Sequence, residues 1–203
     1  MRRMGLIALF GLLGALLFSL ITLADDGPLA DSGQERFEAP FPSGGHLNLE
    51  VQSGDIRISG SDENRIRIRY AGRDAEQGRS VKIALKAEGN SGDLHIHGGP
   101  TNNFQILIEV PRRTHLHVRM PFGSLEVRNT TGNKDIELHS GELVIGIGNP
   151  KDYAQVEASV YSGELDSPPF GISKGGLFRS FHKEGSGPYT LHAHVGTGEL
   201  TLQ

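Results

Sequence analysis

Between Pro121 and Ile145 the chain reads PFGSLEVRNTTGNKDIELHSGELVI. Gly123, Gly132 and Gly141 stand nine residues apart, and each precedes a short alternating apolar run: Leu125/Val127, Ile136/Leu138, Leu143/Ile145. Period-two alternation is that of a strand with one buried face, and it does not fit a helix of 3.6 residues per turn. Glycine supplies the left-handed or bulged backbone that a tight corner needs. This stretch confines the chain to short strands joined by glycine corners.

The same grammar runs along residues 36–203. Phe37/Ala39/Phe41, Leu47/Leu49/Val51, Ile56/Ile58 and Ile66/Ile68/Tyr70 each keep one face, separated by Gly, Ser, Asp and Asn clusters. Residues 81–87, Leu94/Ile96, Phe104 to Val110, Leu116/Val118, Val156/Ala158/Val160 and Leu191/Ala193/Val195 continue it. A motif of small residue, Gly, acid, apolar, any, apolar recurs as SGDIRI (53–58), SGDLHI (91–96), SGELVI (140–145) and TGELTL (197–202), with SGELDS (162–167) a truncated copy. Repeats of this kind suggest coils that bury one another's apolar faces. The spacings of 38, 49, 22 and 35 residues between those glycines exclude a strict hexapeptide helix. The expected fold is all-β: an irregular single-domain β-solenoid, or β-helix-like stack, of short strands. Residues 72–80 and 166–177 read as loops, the second protruding.

The first residues follow a different rule. Met1-Arg2-Arg3 precedes an uncharged run from Gly5 to Ala24, then Asp25-Asp26. That is the pattern of a signal peptide over residues 1–24, cleaved after Ala24, with 25–35 as a linker. An uncleaved membrane anchor over residues 5–24 is the alternative, since about 20 apolar residues also span a bilayer. Either way the expected location is the periplasm, cell envelope or exterior. Removal of Arg2 and Arg3 from the 20 basic residues leaves 18 against 24 acids, net −6. Such a balance gives no general attraction to nucleic acid. Without cysteine, stability rests on burial and backbone pairing alone.

The order of these features resembles the bacterial putative-adhesin domain of unknown function, also called the toastrack domain. The resemblance is carried by a Phe-led strand before Gly45 and SGDIRISG, by Val110-Pro111 followed by Leu116-His117-Val118, by the glycine-paced centre, and by the closing GSGPYTLHAHVGTGELTL. It covers about residues 36–203. It implies a β-helix-like fold at the cell envelope, and it brings no catalytic residue and no cofactor.

Three His-x-His pairs, His95/His97, His115/His117 and His192/His194, each put two imidazoles on one face of a strand, as a metal ligand set would. Ile96, Leu116 and Ala193 between them should point inward. No cysteine or closely spaced carboxylate completes a ligand set, so the pairs are candidates and no metal is assigned. The acids after glycine (Asp55, Asp93, Glu142, Glu164, Glu199) recur with the repeat, as turn residues do and a singular catalytic pair would not. Gly171-Ile172-Ser173-Lys174-Gly175 fits G-x-S-x-G without the helix that the nucleophile elbow needs. Arg57, Arg65, Arg67 and Arg69 read as an outward basic stripe.

The expected function is therefore a non-enzymatic surface or envelope binding module, its partner an unidentified protein or glycan. Two alternatives are a structural protein that assembles by strand addition at its terminal strand, giving a homo-oligomer, and a polysaccharide-active β-helix enzyme.

Overall fold

The structure, a computed structural model, describes residues 36–72, 80–98 and 104–203. The expected signal peptide and linker, and most of the 72–80 loop, lie outside the described residues. The elements are β1 (Arg36–Pro40), β2 (His46–Val51), β3 (Ser53–Ser61), β4 (Arg65–Gly72), β5 (Lys82–Glu88), β6 (Ser91–His97), β7 (Phe104–Pro111), β8 (His115–Arg128), β9 (Lys134–Ile145), β10 (Tyr153–Ser167), β11 (Ile172–Glu184) and β12 (Tyr189–Leu202). Two single 3-10 turns, Pro150–Asp152 and Pro168–Phe170, are the helical elements among the described residues. The chain is all-β, as expected, and its strands form one open sheet.

The long strands bend. β8 pairs parallel with β9 in register from Leu116 beside Lys134 to Val127 beside Ile145, and β9 with β12, and β12 with β10, in the same sense. β2 lies along the first half of β8 and β3 along its second half, so the corner between β2 and β3 falls in line with the bend of β8. Gly54, Gly123, Gly141, Gly198 and Gly163 are thereby neighbours across five strands. All five have φ between +127° and +141°, where a side chain is strained. A Cβ on Gly141 would lie 1.8 Å from the carbonyl oxygen of Gly123, so glycine is also required by the rung below it. This glycine ladder folds the sheet into two flanks.

Alternation does the rest. Leu116, Val118 and Met120 before the bend, and Leu125 and Val127 after it, are all buried, and their equivalents on β9, β10 and β12 join them in one core. Each fully buried Leu, Ile or Val contributes roughly 1.5–3 kcal/mol, and here burial and backbone pairing act without disulfides. The core's end is closed by a buried lysine. Lys134 Nζ donates to the Thr130 carbonyl at 3.0 Å, the Gly132 carbonyl at 3.4 Å and Tyr153 Oη at 2.9 Å. Burial, only partly opposed by Asp152, pushes its ammonium down to about 8. Burial pushes the Tyr153 hydroxyl up to about 12, with smaller contributions from Asp152 and Tyr189.

Four expectations are corrected. The 166–177 stretch is not an irregular loop: β10 runs to Ser167, Pro168–Phe170 makes one 3-10 turn, and Gly171 at φ +66° leads into β11, which pairs with β10 along its length. The terminal strand β12 is not an open edge, because β9 and β10 flank it. Among the described residues the edges are β1, β5 and β11. The SGDLHI copy is no corner, since Leu47 lies beside Gly92 and a Cβ there would strike the Phe41 ring at 2.8 Å. Gly132 sits at the opposite turn, against the Thr114 carbonyl. The nine-residue spacing therefore counts half-circuits, bend to turn to bend. Strand order also departs from chain order, because β12 is inserted between β9 and β10 and β11 returns antiparallel.

Candidate functional site

Inward apolar positions on the first flank dictate what lies outside. Ile96, Leu116 and Ala193 are buried as expected, so the histidines flanking each of them face solvent. Register then aligns the outward residues into rows across the strands. One row reads Asp93, Asn48, His117, Asp135, His192, Glu157, His182 across β6, β2, β8, β9, β12, β10 and β11. The next reads His95, Glu50, Arg119, Glu137, His194, Ser159. His46 beside His115 precedes them, with ring centroids 4.5 Å apart and planes at 14°. His97 and His139 follow toward the bend. All nine histidines of the chain thus lie on the outer face of one flank.

The three histidine pairs do not stack on one another. β2 separates β6 from β8, and β9 separates β8 from β12. The intervening strands bring carboxylates that stand far from the histidines in the sequence. His117 Nδ1 and His192 Nδ1 each lie 3.0 Å from a different oxygen of Asp135, and His95 Nδ1 lies 3.0 Å from Glu50 Oε2. Glu157 stands 3.3 Å from His182 Nδ1, and Ser159 Oγ 2.9 Å from His194 Nδ1. Opposite charges on neighbouring strands attract, so alternating basic and acidic strands is the stable arrangement. Asp135 is the hub. Partial burial acts to raise its pKa, but hydrogen bonds from Arg119 and His192 and the nearby charges hold the carboxyl at about 2.

Asp135, Glu137 and His192 hold ligand atoms within 4.8 Å of one another, a spacing suited to a divalent cation. Arg119 already fills that role. Its Nη2 donates to Asp135 at 3.1 Å and lies 3.2 Å from Glu137, while Nη1 also bonds the Asp135 carbonyl. A guanidinium held by both acids and the backbone occupies the space between them and offsets one of their two charges.

Toward the bend the face opens into a groove of about 770 Å³ that crosses β2, β8, β9 and β12, lined by Glu50, Gln52, Arg119, Glu137, His139 and His194 among others. Val51, Met120 and Leu138 reach its floor. Aromatic rings stand along the adjacent ridge: Phe122 edge-on to His139 at 5.9 Å, and Tyr161 edge-on to Phe178 at 4.8 Å. Phe122, Tyr161, Leu177 and Phe178 are all more than half exposed. Phe178 also adopts φ +54°, a conformation that disfavours a bulky residue.

The remaining sequence candidates fall elsewhere. The arginine stripe lies on the second flank and is neutralised there: Arg57 pairs with Glu126, Arg65 with Glu38 and Glu63, Arg67 with Glu38, Glu63 and Glu109, and Arg69 with Glu109. Glu142, Glu199 and Glu164 stack in register beyond the glycine ladder, all exposed, with Asp55 in the same row and Asp93 on the other flank. Ser173 sits within strand β11 opposite Asp166, so no strand-to-helix elbow exists at that serine.

No family model matches this sequence, and no curated protein matches it. A solved structure does share its fold. A putative cell adhesion protein from Clostridium sporogenes aligns over 83% of this chain and 98% of its own, at 16% identity and a TM-score of 0.50. A putative adhesin from Bacteroides fragilis (9% identity, 85% and 98% coverage, TM-score 0.39) and a putative lipid binding protein from Parabacteroides distasonis (11%, 85% and 98%, 0.28) are more distant. The first likeness shows the fold, and at that level the resemblance read in the sequence to the adhesin-like domain holds. Among the described residues no helix is long and apolar enough to cross a membrane.

Proposed function

We propose that this chain is an exported, non-enzymatic binding module of the cell envelope or surface, a β-solenoid-like stack whose first flank is the recognition face. The observation that carries the reading is the concentration there of every histidine, an alternating set of carboxylates, Arg119 and the groove beside exposed rings. Planar polar groups beside aromatic rings suit a glycan, whose hydroxyls take several hydrogen bonds and whose ring faces stack on aromatics. The adhesion naming of the Clostridium sporogenes relative agrees with this reading. The β10–β11 hairpin, formed where a protruding loop was expected at 166–177, carries Phe178 to the ridge.

The test is binding to isolated envelope glycans by calorimetry. Arg119→Gln with His139→Ala should weaken binding at least tenfold, and so should Phe122→Ala. Unchanged affinity in both would remove the face as the site. Bond cleavage abolished by changing one carboxylate would replace the module with an enzyme.

One observation favours a second reading. β11 is an edge strand with Leu177 and Phe178 exposed, an arrangement prone to pairing with another chain. Light scattering that shows a concentration-dependent dimer, lost in Leu177→Lys, would support assembly through β11.

A further inference from the structure

Resting on the reading of this flank as the binding face, we infer that its ligand is a polyanionic glycan, captured under mildly acidic conditions and released near neutrality. The groups with fixed charge on the face are, strand by strand, Lys82, Lys86 and Glu88 on β5, Asp93 on β6, Glu50 on β2, Arg119 on β8, Asp135 and Glu137 on β9, Glu157 on β10 and Glu184 on β11. Seven acids against three bases make the face net −4 when the imidazoles are neutral, and nine added protons make it +5.

Imidazole is the side chain whose charge changes at mildly acidic pH, so protonation moves this face from net −4 toward net positive. Burial, and then His46, Arg113 and Lys134, push the His115 imidazole below its ordinary value. The other flank does not reverse. It carries no histidine, and its arginines pair with Glu38, Glu63, Glu109, Glu126 and Asp62. The response is therefore built into one face of the sheet.

Geometry selects a polymer. Adjacent strands lie about 4.8 Å apart, so the first row sets His117, His192 and His182 on every second strand, about 10 Å apart, a spacing that an extended chain with repeating anionic groups can follow. A glycan is favoured over a bilayer because the exposed rings stand along one ridge beside a concave groove. They do not form an apolar plane in the middle of the cationic field. The carboxylates keep the face from binding polyanions when the imidazoles are neutral, since like charges then confront the ligand.

The test uses the full-length chain with three probes: polygalacturonate, neutral dextran, and vesicles of equal parts phosphatidylglycerol and phosphatidylcholine. Polygalacturonate should bind at about pH 5 and at least tenfold more weakly at about pH 7.5, with the acid binding reduced by salt. Dextran should bind at neither pH, and dextran binding equal to that of polygalacturonate would overturn the requirement for anionic groups. His117→Gln, His192→Gln and His194→Gln together should abolish most of the acid binding. Arg57→Gln with Arg128→Gln, on the other flank, should leave it intact. Should the triple variant fold poorly, His117→Lys with His194→Lys serves instead: two permanent charges take the face from −4 to −2 at neutral pH, so the drop in binding between about pH 5 and 7.5 should shrink, and an undiminished drop would overturn the inference.

Equal binding at both pH values, or no polygalacturonate binding while an envelope glycan still binds through Arg119 and His139, would overturn this inference alone. Vesicle binding in preference to polygalacturonate would overturn the glycan in favour of a membrane. Binding that no variant of this face alters would overturn both this inference and the functional reading beneath it.

Discussion

Replacing Gly141 by alanine tests the glycine ladder, and Gly54 provides an internal control. Both follow a serine, both precede an acid and an apolar alternation, and both have φ near +134° (+135° and +133°). The backbone strain of an alanine is thus common to them, about 1–3 kcal/mol. They differ in what lies beneath. In Gly141→Ala the new Cβ would sit 1.8 Å from the Gly123 carbonyl oxygen, whereas in Gly54→Ala it meets nothing nearer than Ile56 Cδ1 at 3.8 Å. Gly54 is the end rung.

Relieving the first clash requires β8 and β9 to separate by more than about 1 Å at the bend, which breaks roughly two ladder hydrogen bonds. Each loss costs about 1 kcal/mol net, and up to about 3 where the group stays buried without a partner. Gly141→Ala should therefore cost about 4–7 kcal/mol and Gly54→Ala about 1–3. A domain of this size loses roughly 2–4 °C of melting temperature per kcal/mol, so the first variant should melt at least about 10 °C lower and the second only a few degrees lower. Urea unfolding followed by far-ultraviolet circular dichroism measures both. Equal destabilisation within about 1 kcal/mol would refute the ladder, leaving only the shared φ as the reason for the glycines.

Further expectations concern charge and strain. Lys134 has a folded pKa depressed to about 8 from 10.5, so the unfolded chain binds more protons between those values and stability rises with pH there. Tyr153, raised to about 12 from 10, acts in the opposite sense above pH 10. Stability should thus rise by about 2 kcal/mol from pH 8 to 10 in the parent and stay flat in Lys134→Met, as read from urea midpoints. Asp135, lowered to about 2 from 3.8, contributes stability that is present above pH 4 and lost as pH falls toward 2. With its side chain 43% exposed, solvent screening limits this to about 1 kcal/mol, and Asp135→Asn should remove that acid limb. Phe178→Gly should relieve backbone strain of about 1 kcal/mol and leave stability unchanged or higher, while weakening glycan binding. A lower melting temperature would mean that its edge contact with Tyr161 is structural.

The outward position of the three histidine pairs was legible because i and i+2 share a face and Ile96, Leu116 and Ala193 are apolar. Strand identity was legible for the same reason, even over 81–87, where propensity alone suggests helix and the strand runs from Lys82 to Glu88. The carboxylates facing the histidines were not legible: Glu50 lies 45 residues from His95, and Asp135 lies 57 from His192. β11 was missed because its side chains are mostly exposed, so no burial alternation marks it.

By itself, then, the sequence determined that this is an all-β chain and which side of each strand is dry. Those properties depend on side chains two residues apart and on the φ that glycine alone adopts freely. Only the tertiary structure decided which glycines form the ladder, that β12 enters between β9 and β10, and that imidazoles alternate with carboxylates on one flank. Strand neighbours are chosen by the burial of the whole core, and no short window of residues contains that choice.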